Sequence, residues 1–222
     1  MAKDDYGPHG ATSLAIDGED NVYISDGRSH QIRKFTKDGR LLNSWGGYGN
    51  GIGEFDGPWG ITCDCQGYVY VADFKNHRIQ KFSSAGEWVT QFGNSGSEAA
   101  TLFRPTDVAV DPEGDVYVTD WGSNGVNPGR VQIYDFEGNF IAHLMGDCVD
   151  LSKWAQAQVD ANPDTEKARR IVPSLEPQWR FALPTGIVFD PSNSRFLVSE
   201  RPRHRVQIYN KLKDYQEAPI NL

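Results

Sequence analysis

Three segments decide the fold: Pro58-Trp59-Gly60-Ile61-Thr62-Cys63-Asp64, Tyr68-Val69-Tyr70-Val71-Ala72-Asp73 and Asn76-His77-Arg78-Ile79-Gln80-Lys81-Phe82. Arg78-Ile79-Gln80-Lys81-Phe82 alternates with the two-residue period of a half-buried strand, as does Val22-Tyr23-Ile24 earlier in the chain. Gln66-Gly67 separates the first two and supplies turn chemistry. Ala85-Gly86 follows the third segment and precedes a further strand, so one stretch predicts four short antiparallel strands.

The same stretch recurs. Ser13-Leu14-Ala15-Ile16-Asp17, Asp107-Val108-Ala109-Val110-Asp111 and Gly186-Ile187-Val188-Phe189-Asp190 repeat its first segment, and the other two segments follow each of them. Asp26, Asp73, Asp120 and Glu200 close the second segment of each repeat, spaced by 47, 47 and 80 residues. A four-stranded unit returning every 47 residues is a propeller blade, and a blade buries its faces only against its neighbours. The chain therefore reads as one all-β propeller domain spanning 1–222, with four-stranded antiparallel blades at about 9–46, 57–93, 104–146 and 183–212. A helical insert over about 147–180 lies before the last repeat, which ends on a weak outer strand at Lys213-Asp214-Tyr215.

The Pro-x-Gly-Ile opening, Val-Tyr-Val-Ala-Asp and Asn-His-Arg-Ile-Gln-Lys-Phe resemble the NHL repeat, most closely from Pro58 to Phe82. The resemblance implies a propeller of the six-bladed, TolB-like type, abridged here to four repeats as an open arc or an unusually closed ring. An open arc would expose sheet faces and invite self-association. The family includes ubiquitin-ligase substrate modules, RNA-binding propellers, scaffolds and enzymes, so the resemblance implies the fold far more narrowly than the activity.

Composition narrows the function. Net charge is −8, from 30 acidic and 22 basic residues, so no global basic field exists to hold nucleic acid. The three cysteines, Cys63, Cys65 and Cys148, lack the paired spacing of a zinc module or RING domain and fit a reducing compartment. No apolar run is long enough to span a bilayer, and the polar start at Met1-Ala2-Lys3-Asp4-Asp5 carries no secretion signal. The expectation is a soluble, cytoplasmic chain, unless Met1 is an internal start and a leader has been lost.

Site candidates come from positions where one repeat departs from the others. The inner strands open with Thr12-Ser13, Trp59-Gly60, Thr106-Asp107 and Thr185-Gly186, expected to face the axial channel, and there Trp59 and Asp107 stand out. Trp121 begins a five-residue expansion of the third repeat, and Arg201 follows the Glu200 of the fourth. These four are the ligand-binding candidates. Asp26, Asp73, Asp120 and Glu200 form a repeated carboxylate set; binding to loop amides is the first reading, and a ring binding Ca²⁺ the second. His30, His77 and His204 share one repeat position and read as structural, with convergence on Zn²⁺ the weaker alternative. Cys63 aligns with Ile16, Val110 and Phe189 and reads as core. No cofactor is predicted.

The function expected first is a non-catalytic binding or scaffold propeller that recognises a protein, peptide or small ligand on its loop face or channel. The alternative, implied by the resemblance, is a metal-dependent enzyme similar to peptidyl-hydroxyglycine amidating lyases or gluconolactonase-like hydrolases. The lyase zinc ligands would follow the opening Pro of several inner strands, where this chain has Thr12, Trp59, Thr106 and Thr185 instead of His. A hydrolase of the second kind needs acidic and Asn ligands at inner-strand ends, where Asp107 alone is suitable.

Overall fold

The computed structural model describes residues 10–93, 100–122, 129–146, 181–201 and 205–211. They form four antiparallel sheets, each a meander in chain order. Blade 1 contains β1 (Ala11–Ile16), β2 (Val22–Asp26), β3 (Gln31–Phe35) and β4 (Leu41–Gly46). Blade 2 contains β5 (Pro58–Cys63), β6 (Val69–Asp73), β7 (Arg78–Phe82) and β8 (Trp88–Phe92), with one 3-10 turn at Phe74–Asn76. Blade 3 contains β9 (Pro105–Val110), β10 (Val116–Asp120), β11 (Arg130–Tyr134) and β12 (Phe140–Leu144). Blade 4 contains β13 (Pro184–Asp190), β14 (Arg195–Glu200) and β15 (Arg205–Asn210). The expected helical insert and the Lys213-Asp214-Tyr215 strand lie outside the described residues, as does His204.

Register repeats from blade to blade. Ala11, Pro58, Pro105 and Pro184 pair with Asp26, Asp73, Asp120 and Glu200 in turn, and each pairing is followed by an irregularity in the ladder. The turn between the two innermost strands repeats as well. Asp17, Asp64 and Asp111 each accept the amides two and four residues on through Oδ1, and each accepts a tyrosine hydroxyl (Tyr23, Tyr70, Tyr117) through Oδ2. These polar repeat residues thus tie each of the first three blades to itself.

Apolar faces join the blades. The innermost strands β1, β5, β9 and β13 lie side by side in that order. Tyr23 and Ile32 of blade 1 pack with Ile61, Val69, Val71 and Phe82 of blade 2. Tyr70, Ala72 and Ile79 of blade 2 pack with Val108, Val116, Val118 and Tyr134 of blade 3. Ala109, Tyr117 and Val131 of blade 3 pack with Ile187, Phe196 and Val198 of blade 4. Among the described residues the two terminal faces are different. Leu14 and Ile16 of blade 1 are 64% and 59% exposed, and Val188, Val206 and Ile208 of blade 4 are 57%, 59% and 53% exposed. No described helix is long and apolar enough to cross a membrane.

Candidate functional site

The repeated carboxylates sit where a blade receives the chain entering from its predecessor. Asp73 Oδ1 accepts the amide of Asp56 and Asp120 Oδ1 that of Phe103, at 2.9 and 2.8 Å. Glu200 Oε2 accepts the amide of Ala182 at 2.7 Å. The second oxygen of each carboxylate takes an arginine from the third strand: Arg78, Arg130 and Arg205 respectively. Gln80 and Gln207 add amide donors to Asp73 and Glu200. Arg78 then spreads its guanidinium over the carbonyls of Asn50, Gly51 and Glu54. Asp26 is the outlier: it holds the amides of Arg28 and Ser29, and its arginine, Arg33, stands 3.4 Å away and 40% exposed. Burial pushes the Asp73 carboxyl up and raises Asp120 to about 6, against the opposing pull of their arginines and amides. These carboxylates stay with the arginine of their own blade, and among the described residues no three His, Cys, Asp or Glu side chains gather as metal ligands.

The repeated histidines are inter-blade acceptors. His30 Nδ1 accepts the amide of Gly57 at 3.0 Å, and His77 Nδ1 accepts that of Arg104 at 3.1 Å. Both residues have left-handed backbone, at φ 56° and 58°. His77 also stacks on Phe103, with ring centroids 4.9 Å apart. Burial and then the nearby Arg104 lower the His77 pKa, which keeps the ring neutral and Nδ1 free to accept.

Two of the sequence candidates meet. Trp59 of blade 2 and Trp121 of blade 3 have ring centroids 5.6 Å apart, and Phe74 completes a trio at 5.1 Å from Trp59 and 5.4 Å from Trp121. Trp121 is buried, its indole N–H has no partner among the described residues, and Arg104 lies over Phe74. Phe74 and Arg104 are the members that sequence reasoning passed over. The signal for Phe74 is its place directly after Asp73, which matches that of Trp121 after Asp120. The expanded loop over 123–128 lies outside the described residues.

Asp107 stands apart from that trio, in the axial channel. The channel has a volume of about 410 Å³ and is lined by all four inner strands, with Ser13, Ile16, Ile61, Cys63, Val110 and Phe189 among its walls. Asp107 Oδ2 accepts the amide of Ile187 across the blade junction at 2.9 Å, and Oδ1 accepts the amide of Val108 at 3.0 Å. Burial raises its pKa to about 7 despite both amides. Gly60 makes room for it: a Cβ there would strike the Asp107 carboxylate and backbone and approach Thr106 O to 2.8 Å. The threonines that open three inner strands turn away from the channel. Thr12 and Thr106 donate into the next blade, to Pro58 O and Pro184 O.

The remaining candidates lie elsewhere. Arg201 is exposed after β14, its amide donating to Leu183 O. Cys63 packs against the core between blades 1 and 2, and burial pushes its thiol up to about 12. Cys65 is exposed, and Cys148 lies outside the described residues.

The NHL repeat family matches residues 55–82 and 104–134. No curated protein matches the chain. Among solved structures, the chain resembles one in a nidogen/laminin complex, with a TM-score of 0.60, 18% identity, and coverage of 90% of this chain and 60% of that one. It also resembles XC5397, a gluconolactonase from Xanthomonas campestris, with a TM-score of 0.58, 14% identity, and coverage of 93% of this chain and 60% of that one. The chain thus spans about 60% of the length of each, and at these identities the likeness is one of fold. The matched NHL repeats lie in blades 2 and 3, and the same register extends through all four sheets; the described residues form four propeller blades, two of which carry NHL repeats.

Proposed function

We propose that the chain is a binding propeller that recognises a protein or peptide segment at the channel and the adjoining loop end of blades 2 and 3. The observation that carries this reading is how the reactive side chains are used. Asp73, Asp120, Glu200, His30 and His77 are each engaged in holding a blade or its junction. Asp107 is the charged group at the inner-strand openings, where Ser13 is the register equivalent in blade 1, and Asp64 and Asp111 add carboxylates farther along the same channel. A desolvated carboxylate in a channel that carries further carboxylates suits a cationic or hydrogen-bond-donating group on an extended ligand. The nidogen/laminin neighbour has the same fold in a protein complex, which is consistent with this use.

The test is a displayed peptide library selected against the purified chain, with binding then measured for Asp107→Asn and Trp59→Ala. The expected outcome is a set of enriched sequences whose affinity falls at least tenfold in one of the two variants. Failure to enrich any sequence, or binding indifferent to both substitutions, overturns the proposal. The metal-dependent enzyme is the second reading, and Asp107 is again the observation that favours it. Elemental analysis of the purified chain decides between them: one equivalent of Zn²⁺ or Ca²⁺ that is lost in Asp107→Asn supports the enzyme.

A further inference from the structure

Two of the three blade junctions inside the chain, those after blades 1 and 3, share a hydroxyl-pair construction that Trp59 and Ala72 replace after blade 2, and among the described residues blade 4 carries an uncovered copy of one half of it. Between blades 1 and 2, Thr12 Oγ1 donates to Pro58 O at 3.1 Å and sits 2.9 Å from Ser25 Oγ, which itself donates to Trp59 O. Between blades 3 and 4, Thr106 Oγ1 donates to Pro184 O at 2.8 Å and sits 3.0 Å from Thr119 Oγ1. Blade 4 repeats the hydroxyl pair as Thr185 and Ser199, 3.5 Å apart. Among the described residues no following inner strand lies beside them.

The surrounding apolar residues repeat as well. By strand register, Val188, Val206 and Ile208 occupy in blade 4 the positions that Ala109, Val131 and Ile133 occupy in blade 3, where they pack on the next blade. In blade 4 all three are exposed.

Blade 1 supplies the other half. Leu14 and Ile16 are the register equivalents of Ile61 and Cys63 in blade 2 and of Val108 and Val110 in blade 3, which pack on the preceding blade. In blade 1 they are exposed. Ala11 pairs with Asp26 as Pro58 does with Asp73 and Pro184 with Glu200, so its carbonyl stands at the acceptor position of a junction.

The two free faces are therefore unlike: one is a donor half and the other an acceptor half of the same junction. A two-fold contact sets like against like, whereas unlike halves fit head to tail. We propose that blade 4 of one copy docks on blade 1 of a second copy and continues the blade stack between chains. In this contact Thr185 donates to the Ala11 carbonyl of the second copy, and Val188, Val206 and Ile208 cover Leu14 and Ile16. The occupant follows from continuity, since the junctions within the chain already show what each face accepts. Leu14, Ile16 and Val188 also border the channel, whereas Val206 and Ile208 do not, so the Val206→Asp with Ile208→Asp variant tests this contact without altering the peptide site.

The experiment is light scattering on size-fractionated protein over a hundredfold concentration range. The wild-type chain is expected to shift with concentration from its 24.8 kDa mass to multiples of it. Val206→Asp with Ile208→Asp removes the donor face, and Leu14→Asp with Ile16→Asp removes the acceptor face; either pair abolishes the larger species. Mixing the two variants restores a one-to-one complex, because each retains the half the other lacks. A wild-type chain that stays at its single-chain mass throughout overturns the proposal and assigns the faces to another occupant. A single-face variant that still dimerises overturns it in favour of a like-to-like contact. Amide exchange on the wild-type chain needs no variant: protection must rise with concentration in β1 and β15 together, and a rise in only one, or in neither, also overturns it.

Discussion

Asp107 of blade 3 accepts the backbone amide of Ile187 in blade 4, at 2.9 Å, from within the axial channel. One carboxylate thus joins two blades and supplies charge to the cavity between them. Its position depends on Gly60 in blade 2, whose missing side chain leaves the space it fills.

Gly60→Ala is expected to destabilise the fold by about 3 kcal/mol, because the added methyl meets Asp107 backbone and the Thr106 carbonyl as well as the Asp107 carboxylate, so moving that side chain does not relieve the clash. Gly18→Ala, which faces open space, serves as the control and should change stability little. Urea denaturation of both variants checks the difference.

Asp107 makes stability depend on pH in a defined direction. Its folded pKa, about 7, lies above the ordinary 3.8, so its favourable contribution is complete below 3.8 and is lost as pH rises through 7. Asp107→Asn removes this titration. The stability of the variant relative to wild type should therefore improve from pH 4.5 to pH 8, by at most about 4 kcal/mol. Asp120 titrates in a similar window and is common to both proteins. Denaturation at the two pH values measures the change, and a difference that is flat with pH refutes the desolvated carboxylate.

Removing Arg78 strips a buried carboxylate of its partner. Arg78→Ala leaves Asp73, which has no exposed side-chain surface, without the guanidinium 2.9 Å away, and should cost about 3 to 5 kcal/mol. The matching change in blade 1, Arg33→Ala, breaks a 3.4 Å pair whose arginine is 40% exposed, and should cost under about 1 kcal/mol. Thermal unfolding of the two variants separates these outcomes.

His77→Ala orphans the Arg104 amide and places alanine in left-handed backbone, for a loss of about 2 kcal/mol. His77→Asn keeps a carbonyl acceptor and tolerates that backbone, so it should recover about half of the loss. Because the His77 pKa is lowered in the fold, its contribution is present above the ordinary histidine value of 6.5 and declines as pH falls through the folded value. The asparagine variant should lack that decline in a denaturation series from pH 7.5 to pH 5.

The blades were legible because their signals are local. Val116-Tyr117-Val118-Thr119 announces a strand through its β-branched and aromatic residues, and Asp111-Pro112-Glu113-Gly114 announces the turn before it. The candidate site was legible only in part. Trp59, Asp107 and Trp121 stood out as departures from the repeat, but their fates differ for reasons that alignment does not contain. Trp59 meets Trp121 because blades 2 and 3 stack, whereas Asp107 fills the space that Gly60 leaves at the channel and holds the Ile187 amide. The inner-strand threonines were expected at the channel and instead face the junctions, because an irregularity in the first ladder of each blade re-aims them. His30 and His77 were seen as equivalent, but their amide partners lie 27 residues away on the next blade.

Alone, the sequence determined that this protein repeats a four-stranded unit, which residues of each unit are turn and core, and where one unit departs from the others. Those are properties of neighbouring residues, set by strand period and turn geometry. The tertiary structure decided which carboxylate faces the channel, which histidines bridge blades and which two faces are exposed among the described residues. Each of these depends on how one blade is set against another, and that placement comes from side chains distant in the chain meeting in the core.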